Sequence, residues 1–255
     1  GGNPGWRYDE VLPYFKRAEN NETHGESEYH GAGGPLNVAE LRNPSALSKA
    51  FVDAAVMNGI PESRDYNGVD QFGSFLYQVT QKNGERCSAA KGYLTPNLSR
   101  PNLCVKTHAL SARIIMAGKR ARGIAYYQGS ELKEVRARRE VILSAGAFGS
   151  PHLLQLSGIG PAKELQALGI PVVHDLPGVG ENLQDHIDQV QSYIAPSDSD
   201  TFGISARGTV KMAKGAYEWH KQRTGVIASS IAEAGAFVRS AADVSVPDLQ
   251  LVFVV

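Results

Sequence analysis

The chain has 255 residues, 42% of them hydrophobic, and its 26 Lys and Arg balance 26 Asp and Glu. That length buries one sizeable core or two modest ones, and zero net charge gives no reason to expect nucleic acid or an anionic membrane surface as a partner. Two cysteines, Cys87 and Cys104, exclude a disulfide scaffold and a cysteine-based zinc centre, and no apolar run approaches the roughly 18 residues of a membrane helix.

Residues 9–20 are helical in period, with Val11, Leu12 and Phe15 on one side, and Pro13 belongs in the early turns. Residues 29–35 form a Gly-rich loop. Residues 44–59 read as an amphipathic helix that turns Leu47, Phe51, Ala54 and Ala55 inward and stops at Gly59. Asp65-Tyr66-Asn67-Gly68 has turn chemistry. Residues 73–80 alternate as a strand, and residues 87–98 begin as a helix that Pro96 closes. From Asn102 the texture is β: residues 103–107, 112–117 and 122–127 alternate as a hairpin or meander joined at Gly118-Lys119. After residue 160 come a helix over 161–168 closed by Gly169, a strand over 172–176, a helix over 210–222 and a strand over 233–238. No internal repeat is present. The absence of an initiator Met, and an apolar strand at 247–255 with no partner after it, read as an internal fragment of a longer protein.

The most informative stretch is REVILSAGAFGSPHLLQLSGIG at 139–160. Residues 140–143 read as a short buried strand ending in Ser144-Ala145-Gly146-Ala147, where nothing larger than a hydroxymethyl group covers the backbone. Ser150 stands where an N-cap belongs and Pro151 at the first helical position. Strand, small-residue turn and helix end together place free N–H groups at a positive pole, which suits a cofactor's phosphates or ring.

The spacing Gly146-Ala147-x-x-Ser150-Pro151-x-Leu153-Leu154-x-x-Ser157-Gly158-Ile159-Gly160 resembles the second signature of the glucose–methanol–choline (GMC) oxidoreductases, FAD enzymes that oxidise alcohols. Every fixed position is filled. GNPGWRYDEVLPYFKRAENN at 2–21, GGPLNV at 33–38, GERCSAAKGYL at 84–94, NLCVKTHAL at 102–110 and PGVGENLQDH at 177–186 are similar to family segments in family order. They resemble the bacterial choline and primary-alcohol dehydrogenase branch most closely.

The resemblance implies a mixed α/β (α+β) fold, the central part of a two-domain flavoenzyme, with FAD as cofactor. It assigns 1–33 to a connecting segment, 34–78 and 187–255 to a substrate domain, and 79–186 to the FAD-binding domain. Ala145 and Gly146 are expected to lie against the flavin, and Ser111 to meet adenine through its backbone. The family's phosphate-binding GxGxxG and its catalytic histidine fall outside the chain, so no catalytic residue is expected in it and the chain alone is expected to be inactive. The GxGxx of Gly178–Leu183 has Leu183 where a third glycine belongs. Without a clean helix and strand leading to Asp200, it reads as a tight turn.

Asp185-His186-Ile187-Asp188 sets a histidine between two carboxylates, an arrangement that favours the imidazolium or a structural lock. In choline-oxidising relatives a Glu two residues after this histidine meets the trimethylammonium. Asp188 stands there, one methylene shorter, and is expected to bind substrate. The remaining histidines show no metal-ligand spacing and no metal is expected. The expected activity is hydride transfer from a primary alcohol, aliphatic or choline-like, to flavin N5. A hydroxynitrile-lyase-like activity and a non-catalytic relic are the alternatives. The expected partner is a small alcohol plus an unidentified electron acceptor, and the expected location is the cytoplasm or a membrane periphery.

Overall fold

The computed structural model describes residues 3–194 and 205–255, so Asp200 lies outside the described residues. The chain divides into two compact units, residues 1–103 with 193–255, and residues 104–192.

The first unit opens with α1, Tyr8–Ala18. Glu10 reaches back to accept the N–H groups of Arg7 and Gly5, at 2.9 and 3.1 Å. Acidic Asp9 and Glu10 at its start and basic Lys16 and Arg17 at its end match the helix dipole. Pro13 sits inside the helix, which continues for five residues beyond it. Two short parallel strands follow, β1 (Glu19–Asn21) and β2 (Leu36–Val38). Next come α2 (Ala46–Met57), β3 (Gly73–Leu76), and a hairpin of β4 (Gln81–Lys82) and β5 (Glu85–Arg86). Ser45 caps α2 by accepting the Ser48 N–H. The inward face of α2 is Ser48 and Val52 rather than Ala54, which is exposed.

The second unit is built on an antiparallel meander, β6 (Ala109–Ala117), β7 (Arg120–Gln128) and β8 (Glu131–Arg136), in the order 6-7-8. α3, Gly146–Leu156, lies along β6, with Leu153, Ile114 and Ile115 buried. It leads to β9 (Ile159–Gly160), α4 (Ala162–Ala167) and β10 (His174–Asp175), which pairs in parallel with β9. The chain then returns to the first unit with α5 (Ala206–Gln222), β11 (Ala232–Val238) and β12 (Leu249–Val254). β11 is the middle of an antiparallel sheet ordered 12-11-3, so β12 does have a partner before it in sequence. Phe75, Tyr66, Tyr77 and Phe237 cluster on this sheet, and Phe51 of α2 stacks on Phe253.

Four expectations are corrected. Residues 140–143 are not a strand: no described strand runs beside them to complete a ladder, and Ile142 is exposed. Residues 103–107 are irregular, because His108 at φ +52° breaks the extended path and β6 starts only at Ala109. The expected helix over 87–98 shrinks to a π-helical turn at Ala90–Leu94 and one 3₁₀ turn at Thr95–Asn97, where Pro96 has no N–H to give. Finally, Ser150 and Pro151 do not begin α3; the helix starts four residues earlier, at Gly146.

Candidate functional site

The turn Ala145-Gly146 opens α3. Gly146 has φ +82°, a left-handed conformation that side chains resist, and nothing lies within 4 Å of where its Cβ would be. No side chain caps the helix. Ser150 Oγ instead accepts the Ala145 N–H from inside the first turns, at 3.0 Å. Among the described residues no side chain caps the first-turn amides of α3, which form the positive pole of the helix.

A cleft of about 660 Å³ begins one residue past Gly146, between Ala147, Phe148 and His152 on α3 and the 180–184 loop. Its volume falls within the roughly 300–1,000 Å³ range of small-molecule sites. Two contacts fix its walls. Gln155 Nε2 donates to the Val179 carbonyl at 3.2 Å, and Gly180, at φ +90°, leaves room for that amide: a Cβ there would come within 2.9 Å of it. The Gly178–Leu183 segment is thus a tight turn clamped to α3.

Ser157 pins the far end of α3. Its hydroxyl donates to Leu153 O at 2.6 Å and accepts the N–H of Ile114 on β6 at 2.8 Å, all buried. Gly158, at φ +79°, packs so close to Pro171 that a Cβ would strike that carbonyl. The Ser-Gly of the signature is therefore a fastening between helix, sheet edge and following loop, a role that sequence spacing alone did not show.

The expected site residues all fall in this second unit, but the structure does not gather them into one cavity. Ala145 and Gly146 immediately precede Ala147, the first lining residue, and do not themselves line the cleft. Ser111 lies exposed on the edge strand β6, opposite Tyr126 and beside an irregularity in the ladder, and does not line the cleft. Asp188 is exposed on an extended segment four residues past Gln184, the last lining residue. At His186, Asp185 turns Oδ1 onto the backbone N–H, at 2.8 Å, and among the described residues the ring makes no hydrogen bond.

The first unit carries a cluster that sequence spacing did not suggest. His24, His30 and Asp65 place one possible ligand atom each within 4.8 Å of one another. No helix among the described residues is long and apolar enough to cross a membrane.

An open turn, a helix start without a side-chain cap and the 180–184 loop thus meet around one cleft. Residues 1–188 match the family described as GMC oxidoreductase, and the chain belongs to that family. It is 45% identical over 251 residues to the oxygen-dependent choline dehydrogenase of Pectobacterium carotovorum subsp. carotovorum (strain PC1), covering 97% of this chain and 44% of that protein. The corresponding enzyme of Pseudomonas putida (strain GB-1) is 46% identical, with the same coverage. Among solved structures, an FAD-dependent oxidoreductase from Chaetomium thermophilum matches 92% of this chain and 44% of its own at TM-score 0.80 and 28% identity. The chain thus spans less than half the length of the curated relatives it matches. The resemblance read from the sequence, including its choline-dehydrogenase branch, and the mixed helix-and-strand fold are borne out.

Proposed function

We propose that the chain forms part of an FAD-dependent oxidoreductase that acts on the CH–OH group of a primary alcohol, with choline-like alcohols among its substrates. The observation that carries this is the signature turn: Gly146 at φ +82° borders open space and immediately precedes the first residue of a cleft, beneath helix amides that no side chain caps. Those features fit a ring or phosphate approaching the backbone closely. When bound, FAD supplies the hydride acceptor at N5. The chain's own part is to present the Ala145-Gly146 backbone and the α3 amides to it and to hold the 180–184 loop as a wall that limits water. Ser111 contributes backbone groups from the β6 edge. Residues 79–186 belong to the FAD-binding domain, and 34–78 with 187–255 to the substrate domain. Asp188 meets the substrate's distal end, where a carboxylate attracts a quaternary ammonium. The relatives' name, choline dehydrogenase, supports the substrate class.

The experiment uses the full-length protein that contains this chain. Mixed anaerobically with choline, or with a neutral primary alcohol, it is expected to lose its oxidised-flavin absorbance. A protein that holds flavin but is not reduced by any alcohol would refute the redox reading. In steady state, Asp188→Asn is expected to raise KM for choline while leaving kcat for the neutral alcohol nearly unchanged. Equal losses on both substrates would place Asp188 in a structural role.

A further inference from the structure

We propose that His24, His30 and Asp65 bind one divalent transition-metal ion of the zinc class, with Glu19 holding His30 in the ligating tautomer. The argument begins with the path of the chain. β1 ends at Asn21, a loop carries His24, and the chain returns as His30-Gly31 against the end of α1. A Cβ on Gly31 would run into the Lys16 carbonyl, so glycine permits this close return and presses His30 inward, where it is 3% exposed. Asn21 Oδ1 accepts the N–H groups of Thr23 and His24, at 3.1 and 2.9 Å, which fixes the turn carrying His24. Asp65 comes from the 65–68 turn, where its Oδ1 accepts the Asn67 N–H at 3.1 Å.

The hydrogen bonds decide which His30 nitrogen is free. Nδ1 faces Glu19 Oε1 and Asn21 Nδ2, each at 3.3 Å. The Asn21 amide has two hydrogens, and shorter bonds take both: Glu19 Oε1 at 3.0 Å and Gln78 Oε1 at 3.1 Å. Nδ1 must therefore carry the proton and donate it to Glu19. Glu19 is itself held, since its Oε2 accepts the Gly31 N–H at 2.8 Å.

Nε2, the nitrogen turned away from Glu19, faces both oxygens of Asp65 at 3.1 Å. A ring nitrogen and a carboxylate sit this close only with a positive charge between them. A second ring proton would serve, and so would a metal ion. His24 favours the metal. Its ring stacks on that of His30, with centroids 4.6 Å apart, and makes no hydrogen bond among the described residues, so a side-chain rotation can present a third ligand. In a tetrahedral zinc site, metal–ligand bonds of about 2.0–2.1 Å put neighbouring ligand atoms roughly 3.3–3.5 Å apart, so small movements close the present cluster around an ion. Carboxylate–imidazole–metal is the usual arrangement at such centres, the carboxylate fixing the tautomer. His30 and Glu19 also line a cleft of about 780 Å³ in the same unit, while His24 and Asp65 are each part-exposed.

The test is calorimetric titration of the chelator-dialysed full-length protein with Zn²⁺, and with Co²⁺ followed by visible absorbance. One saturable equivalent and a tetrahedral Co²⁺ spectrum are expected. His24→Ala removes a ligand together with the ring stacked on His30 and is expected to abolish the Co²⁺ spectrum; His24→Phe, which keeps a stacking ring but has no ligand atom, is expected to abolish it too, with the melting temperature of the metal-free protein close to wild type. Glu19→Gln is expected to weaken binding about 10- to 100-fold. No saturable binding, or wild-type affinity in His24→Ala, would overturn the proposal and leave the His30–Asp65 pair bridged by a proton alone.

Discussion

Replacing Gly146 by valine separates two effects that a cofactor-facing glycine combines. The first is backbone strain: at φ +82° a side chain costs roughly 1–2 kcal/mol, more when β-branched. The second is exclusion of a ligand. Beyond its sequence neighbours and its own helix backbone, nothing lies within 4 Å of the would-be Cβ, so the added side chain points into open space rather than into a packed core. Any loss of flavin beyond what strain explains therefore comes from collision with the flavin. Gly129, in the β7–β8 turn, supplies the control: φ is +63° and the surroundings are equally open, but it does not line the α3 cleft. Both Gly146→Val and Gly129→Val in the full-length protein should lose stability by about 1–2 kcal/mol or somewhat more. Only the first should lose flavin, read as the ratio of flavin to protein absorbance in the purified protein. Since each 1.4 kcal/mol is tenfold in affinity, strain shared by both variants cannot produce a difference between them. Full flavin occupancy and activity in Gly146→Val would show that the turn does not face the cofactor.

Three further outcomes follow from buried polar groups. Glu233, 1% exposed, accepts from Ser45 N–H at 2.7 Å, Ser48 Oγ at 2.9 Å and Ser229 Oγ at 2.6 Å, tying the start of α2 to β11. Glu233→Ala should cost about 3–5 kcal/mol at about 1–3 kcal/mol per stranded donor, discounted because Ser45 and Ser229 are only half-buried; a denaturation midpoint within experimental error of wild type would refute this. Ser157→Ala strands the Ile114 N–H and should cost about 1–3 kcal/mol, with α3 amides near Leu153 exchanging hydrogen faster. Burial pushes the Tyr66 hydroxyl up from 10.0 to about 12, against a Gln78 N–H bond that lowers it. The folded state thus prefers the neutral phenol, and its contribution is complete below pH 10 and lost as pH rises towards about 12. Denaturation midpoints of wild type and Tyr66→Phe across that range should converge as pH rises.

What the sequence disclosed followed from local signals. The helix of α2 was legible because Ser45 caps it and Gly59, at φ +85°, stops it. α5 announced itself by period, and the β6–β7 hairpin by alternation around Gly118-Lys119. β8 was missed, although Gly129-Ser130 is turn chemistry, because Glu131–Arg136 is charged at four of six positions and exposed at every one but Lys133, with no apolar face to alternate against. Glu233 and the His24–His30–Asp65 cluster were out of reach for another reason. Their partners lie up to 188 residues away in sequence, and only the fold brings them together.

The misreading of Ser150-Pro151 bears most directly on function. A Ser-Pro pair after a small-residue turn ordinarily marks a helix start, with the hydroxyl satisfying the first amides. Here the helix begins four residues earlier, and the Ser150 hydroxyl accepts from Ala145 instead. That choice has a consequence for charge. A conventional cap would neutralise the positive pole of α3, whereas a hydroxyl folded back on the preceding turn fixes the Ala145-Gly146 backbone and leaves the pole uncovered. Pro151, which has no N–H, cannot give the Ala147 carbonyl the donor that a helix residue four places on ordinarily supplies, and both residues line the cleft. The two residues that look like a helix start thus act together at one cleft: a hydroxyl holds the turn before the helix, and a missing N–H withholds from the first-turn carbonyl its usual donor.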